Sequence, residues 1–358
     1  MGRIWVSKDS LVLFTLSLFF AAYAAVSFTL TINYFNDYQT LIVVSVLSPL
    51  YVLLATLVAD RKKQILVFVY LISSVYLVFI IFKWLNGDLE PGKDTIFIQV
   101  FDTVGSEFYQ NINKYLGLVC ILTMGIFTQR SWLMNFLKIA LVMLCVFFML
   151  KIGGRAAIVS LTMVFFFWYF LLRIRLGSMY FILSMVVLVI VSYMLLLSLD
   201  TLIVLMQESN ITSINRFANL FIGSDSSHRE FLFTKALEQF TDSPKNLFFG
   251  GGMNSFSIFS KENNINLYPH NIILELLAEY GIVGFLLFML PIFYLFTLRR
   301  NRLGSYIGTD RIDRIFFMLF LYFFLIHMFT GSLRGIWFFT FITFLLYPSP
   351  RKLYLKIT

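Results

Sequence analysis

Long apolar runs are the feature of this sequence that most restricts its fold. Ten runs approach the length of a membrane span, at residues 11–33, 40–59, 65–83, 115–128, 136–150, 156–172, 178–199, 271–298, 315–330 and 335–348. A helix needs roughly 20 apolar residues to cross the hydrocarbon core of a bilayer, and fewer when it is packed inside a bundle. The runs therefore predict an all-α polytopic membrane protein with about ten transmembrane helices, organised as a single membrane domain over residues 1–358.

The composition agrees with a protein dissolved in lipid. Only 13% of the residues are charged and 59% are hydrophobic, whereas about a quarter of a soluble domain is charged. The segment "AAYAA" at 21–25 offers a signal-peptidase site, but the first apolar run continues to Leu30, which favours a retained span. Cys120 and Cys145 both lie inside apolar runs, so we expect no structural disulfide.

The basic residues alternate between the predicted loops and so predict an orientation. If the N-terminus is cytoplasmic, the inner loops hold most of the 28 Lys and Arg residues and few of the 19 acidic residues. Clusters such as "DRKK" at 60–63 and "RRNR" at 299–302 lie there, as the positive-inside rule requires. We expect both termini in the cytoplasm and an even number of spans. The net charge of +9 then belongs to the cytoplasmic surface and needs no nucleic acid partner.

The longest loop, at residues 200–270, is predicted to be outside the cell membrane and to carry function. Connections of this length are uncommon unless they are functional or disordered. Its segment "SSHREFLFTKALEQFTDSPKN" predicts an amphipathic helix that lies on the outer face of the bundle and ends before Pro244. The proposed apolar side consists of Phe231, Leu232, Ala236, Leu237 and Phe240. The following "FFGGGMNSF" lacks the lysine of a phosphate-binding loop and is interpreted as a flexible turn.

Several basic residues lie in loops that should otherwise be poor in positive charge. Lys151 and Arg155 flank a short outer turn, Arg229 begins the amphipathic helix, and Arg334 lies in the last outer turn near His327. The alternative for each arginine is an ordinary interfacial or solvated charge. By contrast, no charged residue lies near the middle of a predicted span, which disfavours an ion-coupled transporter.

A histidine stands where the long loop ends and a span begins. His270 is followed by Asn271, Glu275 and Glu279 at helical spacing, so this stripe should face protein or water rather than lipid. The alternative is that His270 only caps or anchors the helix and that Glu275 satisfies neighbouring donors. A metal site is not expected, because His228, His270 and His327 are scattered and lack the spacing of a ligand set.

Three ordered segments resemble the O-antigen polymerase and ligase superfamily. They are "GGRAAIVSLTMVFF", "HREFLFTKALEQFTDSPKNLFFGGGMNSF" and "PHNIILELLAEYGIVGF", and together they cover roughly residues 150–290. The matching positions are Arg155; Arg229 with Pro244, Gly250 and Gly252; and His270–Asn271 with Gly281 and Gly284. The first 150 residues match only in being hydrophobic.

The resemblance implies a metal-independent membrane glycosyltransferase, similar in architecture to the GT-C class, that needs no cofactor. Its expected substrates are a donor and an acceptor linked to undecaprenyl diphosphate, with membrane lipids and a chain-length regulator as further partners. His270 is the implied general base, and Arg155 and Arg229 are the implied diphosphate ligands. The implied supporting residues are Asn271, Glu275, Lys151, Arg334 and His327.

The implied setting is the bacterial inner membrane, with the active site on the periplasmic side and inversion at the anomeric carbon. Polymerisation of lipid-linked repeat units is the favoured activity. Three alternatives stay open: a ligase that transfers glycan to the lipid A core, a flippase or exporter of the same lipid-linked sugar, and a scaffold in a polysaccharide assembly complex. A flippase would not need an outer loop of this length, and a scaffold leaves Arg155 and His270 unexplained.

Overall fold

The computed structural model describes residues 7–29, 31, 38–86, 107–127, 131–152, 155–173, 227–260, 267–303 and 310–348. This part of the chain is helical and contains no strand, so the predicted all-α class is confirmed. The chain divides into two compact units. The first unit comprises Met1–Ile65 and His228–Thr358, and the second comprises Leu66–Ser227.

The helices follow one another in this order. The first part of the chain forms α1 (Lys8–Thr29), α2 (Tyr38–Ile42), a π-helical turn (Val43–Leu47), α3 (Ser48–Leu57), a 3-10 turn (Ala59–Arg61) and α4 (Lys62–Leu85). The middle part forms α5 (Glu107–Ile126), α6 (Trp132–Ile152) and α7 (Arg155–Arg173). The last part forms α8 (Ser227–Thr241), α9 (Pro244–Phe249), α10 (Ser255–Phe259), α11 (Ile272–Leu303), α12 (Arg311–Thr330), a 3-10 turn (Leu333–Gly335) and α13 (Ile336–Phe344).

Six helical segments of the described chain are long and apolar enough to cross a membrane. They are Lys8–Thr29, Thr40–Leu57, Ala59–Leu85, Trp132–Ile152, Ile272–Arg302 and Arg311–Thr330. Two predicted spans, 115–128 and 156–172, correspond to the shorter apolar helices Ile112–Ile126 and Arg155–Trp168. The predicted span 178–199 lies outside the described residues. The chain is thus a polytopic membrane protein, while the count of ten spans and the single membrane domain stay predictions.

Aromatic packing between α1 and α11 builds part of the core of the first unit. The Phe20 ring meets Phe288 edge-on, with the two ring centroids 5.3 Å apart, and it also packs on Tyr280. On the other side of the same helices, side chains such as Phe293 are exposed. In lipid such exposure carries no hydrophobic penalty, because helix association there depends on packing and on interhelical hydrogen bonds.

One end of the first unit is held by buried charges. Lys62 donates a 2.8 Å hydrogen bond to Asp313, and the Arg299 guanidinium lies 3.5 Å from the other oxygen of that carboxylate. Arg302 pairs with Asp9 at the start of α1. We call this group the Arg299 end. All five residues belong to segments that the charge pattern predicts on the cytoplasmic side, and that orientation stays a prediction.

The second unit contains α4 from Leu66 onward, together with α5, α6 and α7. Tyr76 of α4 stacks on Tyr115 of α5, with ring centroids 4.2 Å apart and ring planes nearly parallel. Farther along α4, Trp84 meets Phe148 of α6 edge-on at 5.9 Å. These ring contacts join α4 to its two neighbours. The unit also supplies Lys151 at the end of α6 and Arg155 at the start of α7.

Candidate functional site

The predicted histidine lies at the end of the first unit opposite the Arg299 end. His270 immediately precedes Asn271 and α11, and its backbone is in the left-handed region, with φ of 56°. Few non-glycine residues adopt this conformation, although histidine, asparagine and aspartate do so more often than others. His270 is partly exposed, and the centroid of its imidazole lies 4.1 Å from that of the Tyr268 ring. The sharp turn thus presents a titratable ring where the loop meets the membrane helix.

Asn271, rather than His270, caps helix α11. The side-chain oxygen of Asn271 accepts hydrogen bonds from the backbone N–H groups of Ile273 at 3.0 Å and Leu274 at 3.1 Å. Such bonds satisfy donors that the first turn of any helix leaves without intrahelical partners. The Asn271 oxygen therefore holds the helix start, and its supporting role in the site stays a prediction.

Glu275 joins the first turn of α11 to the turn at residues 331–335. It is only 4% exposed, and its two carboxylate oxygens accept hydrogen bonds from the Ser332 hydroxyl at 3.3 Å and the Leu333 backbone N–H at 3.0 Å. These contacts fit the reading that Glu275 satisfies neighbouring donors. Arg334 lies in the 3-10 turn that follows, but its side chain is outside the described part of the structure.

His327 is a buried residue in the last turn of α12, at the same end of the unit. Its Nδ1 lies 2.7 Å from the carbonyl oxygen of Phe323, and its ring packs on Phe339 with centroids 5.4 Å apart. A carbonyl oxygen only accepts hydrogen bonds, so Nδ1 carries the proton in this contact. The backbone carbonyl of His327 accepts from Gly331 N–H, which begins the turn held by Glu275. His327 therefore supports this turn from within α12.

The amphipathic helix predicted in the long loop is present as α8, and it shares a core with α11. Leu232 and Ala236 of α8 belong to one buried cluster with Ala278 of α11, and Leu274 packs against that cluster. The buried face differs from the predicted one, since Phe231 and Leu237 are exposed. It continues instead through Gln239, because residues 232, 236 and 239 follow helical spacing. Arg229 lies in the first turn of this helix and is partly buried.

Gln239 was missed by sequence reasoning although it makes the polar contacts between α8 and α11. Its side-chain nitrogen donates to the Ser255 hydroxyl at 2.5 Å and to the Ala278 carbonyl at 3.2 Å. The sequence did contain a signal for this role: Gln239 follows Leu232 by seven residues and so lies on the same, otherwise apolar, face of the helix. The helix that carries Arg229 is thereby fixed to the helix that follows His270.

The glycines at 250–252, here the glycine loop, fill a break in α11. Gly281 has φ of 64° and ψ of −169°, so the helix is interrupted there. The carbonyls of Ala278 and Glu279 would normally accept from the N–H groups four residues later. Here both carbonyls accept hydrogen bonds from the glycine loop, from Gly251 at 3.0 Å and from Gly252 at 2.9 Å. The loop predicted to be a flexible turn is therefore a close-packed structural element.

The break tolerates no side chain at its centre. A Cβ atom added to Gly281 would lie 2.5 Å from the backbone of Phe248, and one added to Gly250 would lie 2.3 Å from the backbone of Glu279. Tyr23 of α1, also missed by sequence reasoning, completes the contact. Its hydroxyl lies 2.8 Å from the Phe249 carbonyl and 3.0 Å from the Tyr280 carbonyl.

Lys151 and Arg155 belong to the second compact unit. Lys151 is in the last turn of α6, Arg155 is the first residue of α7, and both side chains are partly exposed. Their convergence with Arg229 and His270 around one diphosphate stays a prediction. Within the described ranges, no three His, Cys, Asp or Glu side chains are arranged to hold a metal ion.

The family comparison identifies the region that contains these residues. Residues 139–289 match the family model described as O-Antigen ligase. No curated protein and no solved structure gives a significant match to the chain. The matched region runs from α6 into α11 and includes Arg155, Arg229 and His270. The match confirms the resemblance to the O-antigen ligase and polymerase superfamily over residues 139–289, and the chain is a multi-pass membrane protein.

Proposed function

We propose that the protein polymerises saccharide repeat units linked to undecaprenyl diphosphate, by inverting glycosyl transfer at the periplasmic face of the inner membrane. An acceptor hydroxyl oxygen forms a bond to the anomeric carbon of the donor sugar. The bond from that carbon to the diphosphate oxygen breaks, and undecaprenyl diphosphate leaves with the bonding electron pair. The hydroxyl proton passes to a base on the protein, so no oxidant, reductant or nucleotide sugar is required.

His270 is the proposed base. An imidazole is ordinarily close to half-protonated near neutral pH, and a positioned general base contributes about 10²–10⁴-fold to a rate. The supporting observation is local: a left-handed backbone at His270 and the Asn271 cap hold the ring at the start of α11. His270 is partly exposed as a residue, while its Nδ1 atom is buried.

Arg155 and Arg229 are the proposed ligands of the departing diphosphate. Guanidinium groups stay charged at any working pH and bind phosphate oxygens in pairs. Stabilising charge that develops on a leaving group is usually the largest catalytic contribution. For Arg229, support comes from the core shared by α8 and α11 and from the Gln239 contacts. For Arg155, support comes from its inclusion in the matched region. Lys151, Arg334 and His327 are proposed to support the site.

The family match across residues 139–289 carries the glycan-transfer part of the proposal, which a polymerase and a ligase share. It favours glycan transfer over the export of a lipid-linked sugar, because the model is described as that of a ligase. The same description keeps a ligase that uses the lipid A core as a second candidate. The two activities differ only in the acceptor.

The decisive test offers both acceptors to the purified full-length protein in lipid nanodiscs. One reaction contains lipid-linked repeat units alone, and the other contains lipid-linked chains with lipid A core. Growth of lipid-linked chains in the first reaction, without nucleotide sugar, supports a polymerase. Transfer only to the lipid A core would instead support a ligase and contradict the polymerase. Absence of transfer in both reactions, with protein that is monodisperse and folded, would contradict both activities.

A further inference from the structure

We propose that α9 and the start of the glycine loop form a membrane-inserted surface whose Phe248 and Phe249 side chains contact lipid acyl chains of the leaflet at the His270 end. The inference is independent of the proposed transfer reaction, because it depends only on exposure and depth. It assigns a partner, the bilayer itself, to part of a loop that the sequence analysis places outside the membrane.

The first observation is that two adjacent phenylalanines are uncovered. Phe248 is 50% exposed and Phe249 is 53% exposed, at the end of the six-residue helix α9. The beginning of the same helix is polar: Ser243 caps it, and Asp242 and Lys245 are exposed. The element is therefore polar where it begins and apolar where it ends, as a short segment entering a membrane interface would be.

The second observation is the depth of this element along α11. Between Glu279 and Arg299 the helix contains no charged residue, and these 19 positions span about 28 Å at 1.5 Å per residue. The hydrocarbon core of a bilayer is about 30 Å thick. Tyr280 and Gly281 therefore lie at its edge at the His270 end, while Arg299 lies at the opposite edge. The backbone of Phe248 packs directly on Gly281, so it lies at this same depth.

Helix α1 gives an independent estimate of the depth. Tyr23, whose hydroxyl contacts the Phe249 carbonyl, follows Asp9 by 14 residues, or roughly 21 Å of helix. Asp9 is paired with Arg302 at the Arg299 end. Helix α1 therefore places the Phe249 carbonyl inside the hydrocarbon core of about 30 Å, and α11 places the Phe248 backbone at the edge of that core. Exposed phenylalanine rings at that depth face acyl chains.

Insertion also accounts for the close packing at the break in α11. Backbone polar groups at hydrocarbon depth are tolerated only where protein satisfies them. The carbonyls of Ala278 and Glu279 accept hydrogen bonds from the glycine loop, and the one Tyr23 hydroxyl proton is shared between the carbonyls of Phe249 and Tyr280.

Spin labels report the depth directly. Phe248→Cys and Phe249→Cys proteins, labelled with a nitroxide in nanodiscs, are exposed in turn to oxygen and to a water-soluble nickel chelate. Lys245→Cys is the aqueous control and Phe293→Cys, on the exposed side of α11, is the lipid control. The native Cys120 and Cys145 are fully buried, and the unmutated protein measures their background labelling.

The proposal requires an oxygen-to-nickel accessibility ratio at positions 248 and 249 several-fold above that at 245 and close to that at 293. A ratio like that at 245 would place the phenylalanines in water and overturn it. Low accessibility to both reagents would mean that protein, such as a second copy of the chain, covers them, and would also overturn it. The unaltered protein provides a second measurement, in which acyl-chain diazirine phospholipids should label residues 248–249. Labelling confined to other helices would be contrary to the proposal.

Discussion

The backbone N–H of Leu333 donates a 3.0 Å hydrogen bond to the Glu275 carboxylate, across 58 residues of sequence. The bond joins the first turn of α11, next to His270, to the turn between α12 and α13. Because Ser332 donates to the other carboxylate oxygen, one buried side chain determines where that turn lies. Glu275 is therefore a positioning residue for the turn that carries Arg334.

Replacement of Glu275 by Gln should destabilise the protein although it preserves size and shape. A carboxamide has one oxygen, so its nitrogen would face either the Leu333 N–H, which cannot accept, or the Ser332 hydroxyl, which would have to turn from donor to acceptor. A buried donor left without an acceptor costs about 1–3 kcal/mol. Thermal unfolding in detergent should show a lower transition temperature for Glu275→Gln. Glu238→Gln is the control, because Glu238 is exposed and its ion pair with Lys235 is on the surface. Equal transitions for the two variants would contradict the role of Glu275.

Replacement of Gly281 by Ala should prevent normal folding. The position combines a positive φ with backbone atoms 2.5 Å from the added Cβ, and backbone cannot rotate away as a side chain can. We expect little monodisperse protein by size-exclusion chromatography. Gly335→Ala is the matched control, because nothing lies within 4 Å of its added Cβ. A normal yield of monodisperse Gly281→Ala protein would contradict the interruption of α11 at Gly281.

Replacement of Gln239 by Leu should loosen α8 more than the rest of the protein. The variant keeps the side chain's bulk but removes the donors to Ser255 and Ala278. Amide hydrogen exchange should become faster in the peptide that contains residues 229–241, while residues 311–330 of α12 exchange as before. Thr241→Val is a control on the exposed side of α8, where the hydroxyl only contacts its own helix. Unchanged exchange in α8 would show that the apolar cluster alone holds it.

Replacement of Arg229 by Ala should slow glycan transfer while leaving the protein folded. If the guanidinium stabilises the departing diphosphate, its loss should lower the rate by about 10²–10³-fold, as loss of one charge-stabilising group commonly does. Lys235→Ala removes a positive charge from the same helix and should retain activity, because Lys235 pairs with Glu238. An equal loss of rate in the two variants would indicate that only the general positive charge of α8 matters.

The sequence predicted the elements of this protein better than the contacts between them. The apolar runs located α1, α11 and α12, because hydrocarbon requires long uncharged helices. The motif Gly281-x-x-Gly284 was visible in the sequence. Its physical cause was not, since the break depends on the backbone of residues 248–252, far away along the chain. A local pattern cannot reveal which distant segment approaches a glycine.

In the site, too, the positions of residues were predicted better than their contacts. His270 was singled out by its position where a loop becomes a span, and the structure places it at the start of α11. Asn271 was singled out as a supporting residue; its side-chain oxygen caps α11, a contact that a local rule for helix starts would have predicted. The buried face of α8 was misjudged because an exposed Phe231 and Leu237 resemble core residues in any hydrophobicity pattern. In a membrane protein such residues can face lipid instead.

The central claim is that the imidazole of His270 accepts the acceptor's proton, and His270→Asn tests it most directly. Asparagine adopts the left-handed backbone readily, so the variant keeps the turn at φ of 56° while removing the base. His270→Ala would also strain the turn and is a weaker test. The measurement is the initial rate of chain growth on lipid-linked repeat units by purified protein in nanodiscs, with thermal unfolding as the control for folding. The account predicts an unfolding transition like that of the unaltered protein and a rate lower by about 10²–10⁴-fold. A well-folded His270→Asn protein that extends chains at the normal rate would contradict it.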